Sequence, residues 1–141
     1  MTQTRIHATA VAIGGHAVLL IGPSGSGKSD LALRLIDRGA ALISDDQTDL
    51  TLVDGRLLAS APATIVGKIE VRGLGIVAVA TVADVAVALV IQLGGPVERM
   101  PPPGVTQTIA GIALPAFALD AFEGSAAIKV ELALRRAIEG A

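Results

Sequence analysis

Three groups of residues in this chain could act on a phosphate: a glycine-rich run ending in lysine and serine, two adjacent aspartates, and a glutamate among glycines. The run is Gly22-Pro23-Ser24-Gly25-Ser26-Gly27-Lys28-Ser29, the G-x-x-x-x-G-K-S pattern of a phosphate-binding P-loop. Its glycines let the backbone approach a ligand closely. The loop N–H groups and the positive end of the following helix would then face phosphate oxygens. Lys28 would add a point charge at the outer phosphates and Ser29 a hydroxyl ligand for Mg2+. A flexible Gly/Ser turn is the plainer alternative, but such a turn does not need Lys-Ser at its end.

Asp45 and Asp46 close the apolar run that begins at Ala40. In open α/β sheets ligands gather at the carboxyl ends of strands, which would bring both carboxylates beside the phosphates. One could serve the metal and the other the acceptor, as a proton acceptor or a water-mediated Mg2+ ligand. An acidic turn is the alternative. Glu70 and Arg72 would share one face of an extended segment. There the carboxylate could complete a metal site and the guanidinium could steady phosphate charge; the alternative is a surface ion pair. Arg99 stands in a proline-rich loop, from which a mobile guanidinium could neutralise charge developing in transfer. Most lone loop arginines are merely solvated. His7 and His16 are too isolated to argue for a metal.

The elements that must carry these groups follow from hydropathy. Ala17 to Ile21 reads as a buried strand leading into the loop. Asp30 to Arg38 reads as one helix stopped by Gly39, with Leu31 and Leu35 one turn apart and Asp30 and Arg34 at i and i+4. Upstream, Thr4 to Ile13 is predicted to be a single strand, joined by a Gly14-Gly15 hairpin turn to a strand from His16 to Ile21. Thr48 to Val53 and Leu57 to Ser60 form a hairpin around Asp54-Gly55. Ile76 to Leu93 reads as two buried strands, because Asp84 near its middle and its β-branched residues argue against a spanning helix. Gly94 to Thr106 holds four prolines and reads as an irregular functional loop. Ile112 to Leu114 is a possible last strand. Ser125 to Glu139 reads as a closing helix with Ser125 as N-cap, Ile128, Leu132 and Ile138 on its apolar face, and Arg135 and Arg136 favouring its C-terminal end.

The 141 residues suffice for one compact α/β domain, read as spanning 1–141. With 52% hydrophobic and 1% aromatic residues, the core must be built from Ala, Val, Leu and Ile. A net charge of -2 and the scarcity of aromatics give neither a basic field nor stacking platforms for nucleic acid. Cysteine is absent, which rules out disulfides and thiolate metal sites and suits a reducing cytoplasm. The apolar stretch from Arg5 to Ile21 is not read as a cleaved signal, because its removal would take the strand that the loop needs.

Gly22 to Gly39 followed by Leu42-Ile43-Ser44-Asp45-Asp46 resembles the bacterial HPr kinase/phosphorylase family. Ile69-Glu70-Val71-Arg72-Gly73-Leu74-Gly75-Ile76 resembles that family's second signature. The resemblance runs from about His7 to the last helix and is weakest from Gly94 to Gly124. It implies a catalytic domain with a mixed β-sheet and a P-loop fold similar to that of phosphoenolpyruvate carboxykinase. It also implies ATP and Mg2+ as donor and metal, and a serine of the phosphocarrier HPr as acceptor. Position by position, it implies that Lys28 and Ser29 are the P-loop lysine and Mg2+-binding serine. Asp46 becomes the proton acceptor, Glu70 the second metal ligand beside Ser29 and Asp45, His7 the active-site histidine, and Arg99 the mobile catalytic arginine. Family members are often hexamers.

Two departures stand out. Longer members carry an N-terminal domain, so the sequence is read as a short form. The family's arginine-rich loop before the last helix should fall near Leu114 to Gly124, yet that segment holds no arginine. Phosphorylase activity is therefore doubtful and a kinase-only form is the simplest expectation. A small-molecule kinase and a nucleotide-gated regulatory module remain the rival readings.

Overall fold

The computed structural model describes residues 2–140. Among them, a nine-stranded mixed sheet carries two helices on one face and closes over a second core on the other. Its centre is β9 (Val85–Leu93), which pairs in parallel with β3 (His16–Ile21) along one edge. Two strands share its other edge. β6 (Arg56–Ser60) pairs antiparallel with its beginning and β11 (Ile112–Leu119) pairs parallel with its end. Side chains alternate across these strands. Val18 and Leu20 of β3 and Leu89, Ile91 and Leu93 of β9 face α1 (Lys28–Asp37) and α2 (Ala126–Ile138). Leu19 and Val90 face the helix-free core, with Ile43, Leu50 and Leu57.

The predicted single strand from Thr4 to Ile13 is two. β1 (Thr2–His7) pairs with β5 (Gln47–Val53), whereas β2 (Thr9–Ile13) pairs with β3 and with β4 (Ala41–Ser44). Both runs break at the same level. Ala8 separates β1 from β2 where Asp45 and Asp46 separate β4 from β5. This double bend explains how a sheet of short alternating strands wraps around its own side chains. The Ala8 carbonyl, freed from the ladder, accepts a hydrogen bond from Thr48 Oγ1 at 2.8 Å.

Other expectations need correcting. The Lys68–Gly75 segment is a hairpin: β7 (Lys68–Val71) and β8 (Gly75–Ala78) form a separate two-stranded sheet. Arg72 lies in its turn rather than on the strand with Glu70. The first half of Ile76 to Leu93 is therefore not buried, and Ile76 is 65% exposed. The last strand runs to Leu119 and pairs with β10 (Thr106–Ile109). On α2 the buried residues are Ala126, Ala127, Val130, Ala133 and Leu134, while Ile128, Leu132 and Ile138 point outward. Small residues let this helix pack closely on β9, so the smaller stripe of the helix is the buried one. Ser125 occupies the N-cap position, but its side chain makes no capping bond.

Candidate active site

The strand–loop–helix order is realised at the carboxyl end of β3. Gly27 is the N-cap of α1 with φ 93° and offers no side-chain cap. The first N–H groups of the helix are thus left for a ligand, the arrangement that favours anions. A β-carbon at Gly27 would lie 2.8 Å from Ala121 Cβ, and one at Gly22 would lie 2.7 Å from the Leu93 carbonyl oxygen. Both positions therefore require glycine for packing, and Gly27 also for its left-handed backbone.

A cleft of about 560 Å3 opens over this loop. Ser24, Gly25, Gly27, Lys28 and Ser29 line it, together with Asp30, Asp46, Glu70 and Arg72. Lys28 is buried, and its Nζ donates to the carbonyls of Gly22 (2.8 Å) and Pro23 (3.1 Å). Those charge-assisted bonds hold the ammonium inside the loop.

The acidic pair divides its work. Asp45 is buried, and both its oxygens are engaged. Oδ1 accepts from Ser29 Oγ at 2.6 Å and from Thr9 Oγ1 at 3.0 Å, while Oδ2 accepts from the Glu70 N–H at 2.9 Å. One carboxylate therefore ties the P-loop helix, the double bend and the β7–β8 hairpin to one point. Asp46 faces the cleft with a left-handed backbone, φ 69°. That conformation costs a non-glycine residue on the order of 1–3 kcal/mol and tends to persist at functional sites. Its N–H donates to Thr9 Oγ1 at 3.1 Å, and its carboxylate meets His7 Nε2 at 2.6 Å.

The structure brings Lys28, Ser29, Asp45, Asp46, Glu70 and, through Asp46, His7 to one place. Pro23 reaches it only through its carbonyl, and Ser26 lies behind the loop, buried. Arg99 is not brought in: it is exposed in the loop between β9 and β10 and does not line the cleft. Among the described residues no three His, Cys, Asp or Glu side chains form a metal cluster. The donor set of Ser29 hydroxyl with the Asp45 and Glu70 carboxylates is all oxygen. It fits Mg2+, which takes one or two carboxylates and completes its shell with water and phosphate.

Sequence reasoning missed two supports. Thr9 is fully buried and bridges both aspartates, although it lies 36 residues before Asp45. Arg34, expected as the i+4 partner of Asp30, does contact it at 3.2 Å. Its guanidinium also donates to the carbonyls of Ala121 and Glu123, fastening the turn after β11 to α1. Two further arginines act outside the cleft. A hydrogen bond to Asp49, reinforced by its charge, raises the Arg5 pKa, and Glu131 does the same for Arg38, joining α1 to α2.

Residues 1–131 match the family model described as HPr Serine kinase C-terminal domain. The chain belongs to that HPr serine kinase family. Among its relatives, the HPr kinase/phosphorylase of Clostridium beijerinckii is 47% identical over 79 residues, 56% of this chain and 26% of that protein. The one from Clostridium tetani is 41% identical over 93 residues, 66% of this chain and 30% of that protein. The chain thus matches about a quarter to a third of the length of these relatives. The solved Hpr(Ser) kinase/phosphatase from Coxiella burnetii superposes with a TM-score of 0.82 at 32% identity, covering 97% of each chain. The mixed sheet with two helices is therefore an HPr-kinase-type fold. No helix among the described residues is long and apolar enough to cross a membrane.

Proposed function

We propose that this chain carries the catalytic unit of an ATP- and Mg2+-dependent kinase that phosphorylates a serine of an HPr-type phosphocarrier. The reading is supported above all by one observation. Asp45 holds Ser29, Thr9 and the Glu70 backbone together, so that Lys28, Asp46 and Glu70 line one cleft. Family membership supplies the acceptor class. The finer fold assignment, a P-loop fold similar to that of phosphoenolpyruvate carboxykinase, belongs to the same proposal, as do a cytoplasmic location and assembly of identical copies.

Phosphoryl transfer asks little covalent chemistry of a protein; positioning and charge stabilisation carry the rate. The N–H groups from Gly25 to Ser29 cradle the phosphates, and Lys28 exchanges its carbonyl partners for phosphate oxygens. Mg2+, held by Ser29 with Glu70 or Asp45, supplies neutralising charge when bound. Asp46 takes the proton of the incoming serine hydroxyl, with His7 orienting its carboxylate. Arg99 stays on the rim in its exposed loop, where its charge makes only a minor contribution to meeting the acceptor.

The test is incubation of the protein with terminally labelled ATP, Mg2+ and purified HPr-type carriers. Label on a carrier serine is the expected result. Label on a small metabolite, or tight ATP binding without any product, would refute the assignment.

A further inference from the structure

A second depression, of about 480 Å3, adjoins the cleft and shares Phe122 with it. Ser26 of the loop, Gly94, Gly95 and Val97 after β9, and Asp120 after β11 complete the part that matters here. β3, β9 and β11 run parallel side by side, so these groups stand at the carboxyl ends of three neighbouring strands. That is where open α/β sheets take ligands.

Three features there are not used by the phosphate site. The first is Phe122 itself. The chain has two phenylalanines and no tryptophan or tyrosine, yet this ring is 69% exposed. It lies over the glycine that starts α1, 3.3 Å from where a Gly27 β-carbon would be. A core short of aromatics gains nothing from leaving one outside. Second, the ring is presented by a fastened turn. Asp120 Oδ1 accepts from the Phe122 N–H at 2.9 Å, and Arg34 grips the carbonyls on either side of Phe122, those of Ala121 and Glu123. Third, Ser26 is 6% exposed and its Oγ has no hydrogen-bond partner among the described residues. Buried hydroxyls are normally satisfied, so an unpaired one beneath this depression is a polar group the loop itself does not use.

We infer that this depression receives the nucleoside of the phosphate donor, with the base laid on the Phe122 ring and the phosphates passing Gly27 into the cleft. The inference rests on the reading of the cleft as a triphosphate site. Stacking on an aromatic face accepts any base, so Phe122 supplies affinity for nucleotide over bare polyphosphate. The Asp120 carboxylate, whose Oδ2 is not used by the turn, is the polar group at hand for the sugar or the base edge. Arg34 is a positioning residue, acting through the turn it holds.

The experiment compares two probes, Mg-ATP and Mg-tripolyphosphate, by titration against the whole chain and two variants. Phe122→Ala should weaken ATP by roughly tenfold or more and leave tripolyphosphate within about twofold. Phe122→Trp introduces a single indole fluorophore into a chain without tryptophan, and its emission should change on adding ATP but not tripolyphosphate. An equal loss for both probes in Phe122→Ala would mean that the ring only shapes Gly27, and would overturn the inference. So would an unchanged ATP affinity in that variant, or indole emission in Phe122→Trp that is blind to bound ATP. Failure of the unaltered chain to bind either probe would instead sink the phosphate site, and this inference with it.

Discussion

The loop–bend side of the cleft and the rim around it are built in opposite ways. On the first, Lys28, Asp45 and Thr9 are buried and each makes at least two hydrogen bonds. On the rim, the β7–β8 turn holds Leu74 out at 79% exposure and the loop between β9 and β10 holds Met100 out at 84%. Charge developing at a phosphate is best met by groups that need not reorganise, and the first region supplies them. In the proposed reading a protein acceptor would be met by surface that is accessible and can adapt, and the second region has that character. Asp46 stands at the boundary. Its backbone is fixed by Thr9, while its carboxylate is exposed to the cleft and paired only with an exposed His7.

If this division is right, substitutions should sort by region. The largest effect is expected of Lys28→Ala, which removes charge from the most buried part of the site. Transfer measured with labelled ATP should fall by about 10³-fold or more, with nucleotide affinity falling too. Asp46→Asn comes next. It keeps the shape and the N–H bond to Thr9 but cannot take a proton, so single-turnover transfer should drop by about 10²–10⁴-fold while ATP affinity stays within about twofold. Loss of ATP binding along with turnover would make Asp46 structural and erase the boundary.

Thr9→Val tests the bend rather than the chemistry. It leaves the Asp46 N–H without its acceptor and a buried Asp45 oxygen short of a donor, at a cost of about 1–3 kcal/mol in urea unfolding. A change below that range would mean that water replaces the hydroxyl and the bend is less dependent on it. The smallest effects belong to the rim. Arg99→Ala should alter unfolding free energy by less than about 0.5 kcal/mol and slow transfer to the carrier by less than about tenfold. A loss as large as that of Asp46→Asn would move Arg99 into the preorganised region.

The loop and the acidic pair proposed to meet phosphate were legible as structure in the sequence because their spacing is local. Gly22 to Ser29 must form a loop into a helix wherever the rest of the chain goes, and Asp45-Asp46 marks a strand end by itself. Thr9 was not legible, since its bonds span 36 and 37 residues and its local context reads as a strand. The same long-range pairing hid the break at Ala8, where propensity favours continuity. Ala110, at φ 50° before Gly111, turns β10 into β11 without the Asn or Asp that usually announces such a turn. On α2, ranking residues by hydrophobicity selected Ile128, Leu132 and Ile138, whereas close packing on β9 selected Ala126, Ala127 and Ala133 with Val130 and Leu134. Phe122 carried a compositional signal, being one of two aromatics and directly before Glu123-Gly124, but nothing local tied it to a loop about a hundred residues earlier.

In the proposed reading the loop between β3 and α1 holds a triphosphate with its terminal phosphate toward Asp46. A crystal structure with Mg2+ and a non-hydrolysable ATP analogue tests it most directly. Lys28 Nζ should have left the Gly22 and Pro23 carbonyls for phosphate oxygens, with the Asp46 carboxylate facing the terminal phosphate from the open side of the cleft. A lysine still bonded to those carbonyls, with the analogue bound elsewhere, would contradict it.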